Sequence, residues 1–341
     1  KDKIVFDDLD RYTLSHRDIG LSIYDRHADK SGVAYSSWRR PVLNFKPNRR
    51  TWLNAGRRHF AADFYITGWL ESLGIPFDVM TDEDVHQGGV DLLRPYDVVI
   101  SGSHPEYPTP AQLDAIDTYL ESGGSFMYLG GNGWYWVTSY DGEDTQTIEV
   151  RRGYAAQRNW TSHPAELFHS STGVKGGIYA HCGRSSRQTF GVTSAAVGWG
   201  RADGYRRTVA SYDTDVAHLF DGISDEILGN FGYILDCAAG DELDTADYSD
   251  GTPRHARILM SSIGHDSTYY PFIETLHQVI PDLSGETNEQ VRSDVVFMKN
   301  SATSKVFSVG SINWAGSLAY NSYQNNISQL TGNVLRDMLQ E

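Results

Sequence analysis

Residues 101–110 read SGSHPEYPTP, with a histidine, a glutamate and a tyrosine set among three prolines. Pro105 biases His104 toward extended backbone, and Pro108 does the same for Tyr107. Side chains two apart on an extended segment share a face, so His104 and Glu106 are predicted to point together and Tyr107 away from them. That geometry suits a metal-ligand or general-base role for Glu106. The same residues also make a plain strand-to-helix turn, in which both side chains only satisfy backbone groups. Thr109, Pro110 and Gln112 explain the shape that follows: a hydroxyl cap, proline at the first helical position, and glutamine three after the cap.

Other stretches add candidates. SIYDRHADKSG sets Asp25, His27 and Asp29 at alternate positions just after Tyr24, either an oxygen and nitrogen ligand set or a solvated loop. LGGNGWYW places Asn132 among three glycines, where backbone could approach a ligand closely and an amide could orient it. CAAGDELD supplies Asp241, Glu242 and Asp244, and SSIGHDSTYY supplies His265 and Asp266; both are equally readable as charged surface. Covalent catalysis is disfavoured, because Ser103 lies in no GxSxG elbow and no cysteine sits where a thiol amidotransferase of this architecture would need one. The twelve histidines form no HxH or HExxH pair, so a histidine-rich zinc site is not signalled.

These residues need elements to hold them. The first 58 residues are polar, aromatic and rich in arginine. RHFAADFYITGWLESLG then reads as a helix ending on glycine, PFDVM (76–80) as a short strand, YDVVIS (96–101) as a buried strand, 110–122 as a helix, and SFMYLGG (125–131) as another buried strand. Strands alternating with helices argue an α/β domain with a doubly wound, mostly parallel sheet, whose sites lie at the carboxyl ends of strands. From 135 to 250 the composition shifts to aromatics, glycines and short polar runs, read as a β- and loop-rich insertion with a helix only near 222–230. ARILMSS (256–262), a helix near 270–280, DVVFMKN (294–300), KVFSVGS (305–311) and a helix over about 325–340 complete the core. The expected organisation is a first core part over 1–134, the insertion over 135–250, and a completing part over 251–341.

The chain has 341 residues and a net charge of −15, which repels phosphate backbones and anionic lipid, so neither nucleic acid nor membrane is an expected partner. No apolar run is long enough to span a bilayer. Two cysteines, Cys182 and Cys237, suit a reducing compartment, which points to the cytoplasm. The chain opens on Lys1 rather than Met, and an upstream segment is therefore expected.

Taken together, YDRHADKSGVAYSSWRRPVLNF, DVMTDEDVH, HPEY followed by YLGGNGWYW, IEVRR, AAGDELD and VFSVGSINWAGSL resemble the large (beta) subunit family of N,N-dimethylformamidase, in its C-terminal catalytic region. The resemblance implies an amidase with an α/β core similar to class I glutamine amidotransferases and a mononuclear iron, ferric by its donors, held by two tyrosinates and one glutamate. By motif, Glu106 matches the glutamate and Tyr24 one tyrosine. The second tyrosine belongs to a segment upstream of that motif, and nothing here matches it. His104 and Asn132 would orient water or the carbonyl, and Glu242 would be the base. The implied reaction cleaves a small N-substituted formamide to formate and an amine, with a small partner subunit and a second large subunit. A non-catalytic or regulatory subunit of this fold that binds a small polar ligand, or a related metal hydrolase with another substrate, stands as the alternative.

Overall fold

The computed structural model describes residues 6–54, 56–142, 144–155, 159–262, 264–275 and 283–339. In chain order the described strands are β1 (Tyr35–Ser37), β2 (Val98–Ile100), β3 (Ser125–Tyr128), β4 (Ser139–Asp141), β5 (Asp144–Glu149), β6 (Thr193–Asp203), β7 (Tyr205–Arg207), β8 (Ile227–Leu228), β9 (Ala239–Thr245), β10 (Arg257–Ser261), β11 (Tyr270–Pro271), β12 (Asp294–Lys299) and β13 (Lys305–Ser308). The α-helices are α1 (Asp8–Ser15), α2 (Phe60–Leu73), α3 (Asp82–Leu93), α4 (Pro110–Glu121), α5 (Ser186–Phe190), α6 (Trp314–Leu318) and α7 (Asn326–Leu339).

A seven-stranded sheet in the order β2-β3-β13-β12-β10-β7-β8 carries the fold. It is mixed rather than mostly parallel. Only β2 with β3 and β3 with β13 run parallel, while β13, β12, β10, β7 and β8 pair antiparallel in succession. The connection explains the difference. A parallel pair needs a crossover of a dozen or more residues, and only residues 300–304 join β12 to β13. Strands of the 135–250 region are shared among sheets: β7 and β8 extend the large one, β6 pairs with both β9 and β11, and β5 pairs with both β4 and β1.

Along β3 the side chains alternate between two cores. Met127 joins Trp69, Trp314 and Leu330 on the face covered by α2, α6 and α7. Phe126 and Tyr128 join Tyr119 and Phe190 on the face covered by α4 and α5. Gly74 closes α2 at φ 67°, the left-handed cap that only glycine adopts without cost. Helix α4 starts as its residues predict, with Thr109 and Gln112 in a reciprocal capping box. Helix α3, capped by Thr81 and Asp84, was not foreseen, because Gly88 and Gly89 weaken its periodic signal. Residues 76–80 hold no strand and pair with none, and 222–230 holds β8 instead of a helix. Of the helix expected near 270–280, the described residues show β11 and a 3₁₀ turn, Ile273–Thr275; 276–280 lie outside the described residues.

Candidate functional site

Between β2 and α4 the chain turns sharply. Glu106 N–H donates to His104 C=O at 3.0 Å, a three-residue turn centred on Pro105. The turn breaks the expected alternation, and Tyr107 is not turned away as predicted: its hydroxyl meets that of Tyr24 beside Glu106. The loop is fixed from both sides. Ser103 N–H and Oγ donate to Asp63 Oδ1 at 2.7 and 2.8 Å, while Trp134 N–H bonds Pro105 C=O at 2.7 Å and Trp136 N–H bonds Glu106 C=O at 3.0 Å.

The buried Glu106 carboxylate is the centre of the cluster. Trp136 Nε1 donates to its Oε1 at 3.1 Å, and Tyr24 Oη lies 3.4 Å from each of its oxygens. Tyr24 as a residue is 53% exposed, with its hydroxyl end against Glu106 and Tyr107. Burial, then the Glu106 charge, holds both phenols well above their ordinary range. Burial and Glu242 likewise raise Glu106, against the pull of His104. The fully buried Arg152 lies with its guanidinium 4.5 Å from the ring centres of Tyr24 and Trp136 and donates from Nη2 to Ile23 C=O at 3.3 Å.

A second half comes from β9. His104 Nε2 lies within ion-pair distance of two carboxylates, 2.9 Å from Glu242 Oε2 and 3.5 Å from Glu106 Oε2, without hydrogen-bond alignment to either. Burial lowers the His104 pKa, but Glu242 and then Glu106 outweigh it and the net shift is upward. Arg58 Nη2 reaches Glu242 at 3.2 Å, and its fork also grips Asp241, Nε to Oδ2 at 3.0 Å. Asn54 Nδ2 donates to the same Asp241 oxygen at 2.8 Å. Asp241 takes φ 64° beside a register shift of β9 against β6, which breaks the strict alternation of Asp241 and Glu242.

The glycines of LGGNG are required by contact. A Cβ on Gly131 would lie 2.6 Å from Glu242 C=O, so the loop after β3 can approach β9 only without side chains there. Asn132 follows at φ 50°, its N–H on Asp244 Oδ1 at 2.8 Å, and Tyr128 Oη donates to Asp244 Oδ2 at 2.6 Å. Burial pushes the Asp244 carboxyl up to about 6. Asn132 Oδ1 and His104 Nδ1 are buried with no hydrogen-bond partner among the described residues, the condition of polar atoms that await a ligand or water.

Tyr24, His104, Glu106 and Glu242 are thus brought into one cluster, with Asn132 in the glycine loop packed against β9. The other candidates are not brought in. Asp25 accepts from Ser22 N–H and pairs with Arg17, and Asp29 accepts from Ser31, so both shape an exposed loop. His265 bonds Ser262 and packs on Tyr269. Sequence reasoning missed Arg58 and Asn54; Arg152 was visible only as part of IEVRR.

Among the described residues no group of three or more His, Cys, Asp or Glu side chains is arranged to hold a metal. The donors that do converge are one carboxylate and two phenols, Glu106, Tyr24 and Tyr107, hard oxygen ligands that fit a hard cation such as ferric iron. Such a cation would offset the burial that now keeps both phenols protonated.

Residues 12–326 match a family model described as N,N-dimethylformamidase beta subunit-like, C-terminal. The chain is 37% identical over 330 residues to the N,N-dimethylformamidase beta subunit of Paracoccus aminophilus, covering 96% of this chain and 43% of that one. To the protein of the same name from an Alcaligenes species it is 35% identical over 323 residues, covering 94% and 42%. It therefore spans less than half the length of these relatives. A solved Bacteroides uniformis structure described as ThuA-like aligns at 15% identity over 82% of this chain and 83% of that one, with a TM-score of 0.42, too slight a likeness to bear on the fold.

Proposed function

The chain belongs to the N,N-dimethylformamidase beta subunit family, in its C-terminal region, and from that premise we propose that it carries the site where a small N-substituted formamide is hydrolysed to formate and an amine. The observation that carries this reading is Glu106, in contact with Tyr24 on one side, itself against Tyr107, and with the His104–Glu242 pair on the other. Glu106 and Tyr24 are the proposed ligands of a ferric ion, and Tyr107 is placed to serve with them. When bound, that ion supplies Lewis acidity that polarises the amide carbonyl and makes water acidic enough to attack near neutral pH.

The remaining work falls to the chain's own residues. Glu242 takes the proton of the attacking water and returns it to the nitrogen of the leaving amine. His104 lies 2.9 Å from the Glu242 oxygen, and Arg58 fixes the same carboxylate. Asn132, with Oδ1 unengaged by protein, is the proposed orienting group for water or substrate. Trp136 fixes Glu106 and closes that side of the site to solvent.

The relatives' names support a multi-subunit assembly, in which we place a small partner subunit and a second large subunit. The likeness of the core to class I glutamine amidotransferases and a cytoplasmic location belong to the same proposal. Among the described residues no helix is long and apolar enough to cross a membrane, and both cysteines are free. The test is amine release from N-substituted formamides by the assembled protein. Glu242→Gln is expected to lower kcat by roughly 10²- to 10⁴-fold with KM nearly unchanged; undiminished turnover would remove Glu242 from the mechanism.

A further inference from the structure

The seven-stranded sheet ends at β2, and that end is unfinished. β3 and β13, the other parallel strands, are buried at every residue, whereas Val98, Val99 and Ile100 are all half-buried. Parallel strands are normally covered on both faces, and an open edge of unpaired N–H and C=O groups is a template for a further strand. Ser125 N–H donates to Asp97 C=O at 3.2 Å and Ser101 N–H to Met127 C=O at 2.9 Å, so the alternate residues Val98 and Ile100 aim their N–H and C=O groups outward. The described hydrogen bonds give those groups no partner.

They face a groove of about 370 Å³. Residues 76–80 also line it, with Phe77 36% and Val79 76% exposed, together with Ile66 and Leu70 of α2 and Leu335 and Leu339 of α7. A second cavity of about 140 Å³ opens on the opposite face of β2, against Val85 and Leu93. Two observations decide between a small ligand and polypeptide. The lining is mostly apolar, and its Tyr96 and Asp78 already bond each other at 2.8 Å. The edge instead offers a row of backbone donors and acceptors, with the strand-like residues of PFDVM lining the same groove, which is what an added strand requires.

We propose that the groove receives one β-strand, inserted between 76–80 and β2, from polypeptide that precedes this region. The source is argued from the relatives: the matching family model is the C-terminal part of the beta subunit, and more than half of each relative lies outside the match. The strand pairs with Val98 and Ile100 and buries Phe77, Val79 and the rest of the groove's lining. The run PFDVM, strand-like in its residues, is then the new sheet edge.

The test uses the polypeptide as its host cell makes it. Residue-resolved hydrogen exchange is expected to show the amides of Val98 and Ile100 protected at least about a hundredfold, as in a paired strand. A photo-reactive benzoylphenylalanine in place of Phe77 is expected to cross-link to residues of the same chain that precede this region. Ile100→Pro removes an outward N–H, along with the Ile100 side chain packed on the core, leaves the backbone groups that pair with β3, and is expected to abolish that adduct. Open-edge exchange at Val98 and Ile100 overturns the proposal, and if the proline variant does not fold, exchange on the unaltered protein still decides. An adduct to a second copy, to a different polypeptide, or to nothing overturns it as well. Neither readout depends on catalysis, so the result is independent of the proposed reaction.

Discussion

Arg58 is the residue whose loss should be felt most widely, because its buried guanidinium answers both Asp241 and Glu242. Arg58→Ala leaves two carboxylates without their cation and is expected to cost about 3–5 kcal/mol in urea unfolding. Arg58→Lys should recover only part of that, since an ammonium cannot reproduce the fork; full recovery would mean the geometry of the fork is irrelevant. Glu149 gives a pH test away from the site. Burial alone would raise its carboxyl, but bonds from Ser171 and Ser170 N–H and from Arg151 bring it down to about 2. A depressed carboxylate contributes stability that is present above its unfolded value near 4.5 and is lost as pH falls toward 2. That contribution is about 3 kcal/mol, and Glu149→Gln should flatten the acid limb of the stability curve over that window. What was legible at this scale was local. His104 and Glu106 are two residues apart and Asn132 sits among its own glycines, whereas Arg58 reaches Asp241 across 183 positions and no spacing rule connects them. Tyr107 was misplaced because the alternation rule assumes an extended chain, and the hydrogen bond across Pro105 bends it.

The elements that carry the site differ in how plainly their residues announce them. The start of helix α4 could be read to the residue, since its cap, proline and glutamine fall within four positions. Thr109→Ala should lower stability by about 1–2 kcal/mol in chemical unfolding, the upper end being favoured because Thr109 is buried and also bonds His86 at 2.7 Å; no change would mean the cap is dispensable. The glycine loop makes a sharper claim. Gly131→Ala must move Glu242 C=O or the loop, and a displacement near 1 Å is expected to cost about 10²-fold in turnover, with a smaller effect on unfolding. The antiparallel half of the sheet was not legible. ARILMSS, DVVFMKN and KVFSVGS read as strands equally in either direction; the short link over 300–304 sets β12 against β13, while residues 262–293 separate β10 from β12 and no local signal sets its sense.

At the scale of the molecule, six separated stretches meet: Tyr24, Arg58, the His104–Tyr107 turn, Trp136, Arg152 and β9. The large sheet brings the turn to the carboxyl end of β2, and the smaller pairing of β6 with β9 presents Glu242 to it. Family likeness singles out Tyr24 and Glu106, because it compares whole motifs; composition and periodicity leave each of them a loop or a turn. The central claim is that this convergence is a hard-cation site that hydrolyses amides. Metal content and visible absorption of the assembled protein, measured on the unaltered chain and on Glu106→Ala, test it most directly. The account predicts iron with a phenolate-to-iron charge-transfer band, both lost in the variant together with amine release; iron, band and amine release all retained in Glu106→Ala would contradict it.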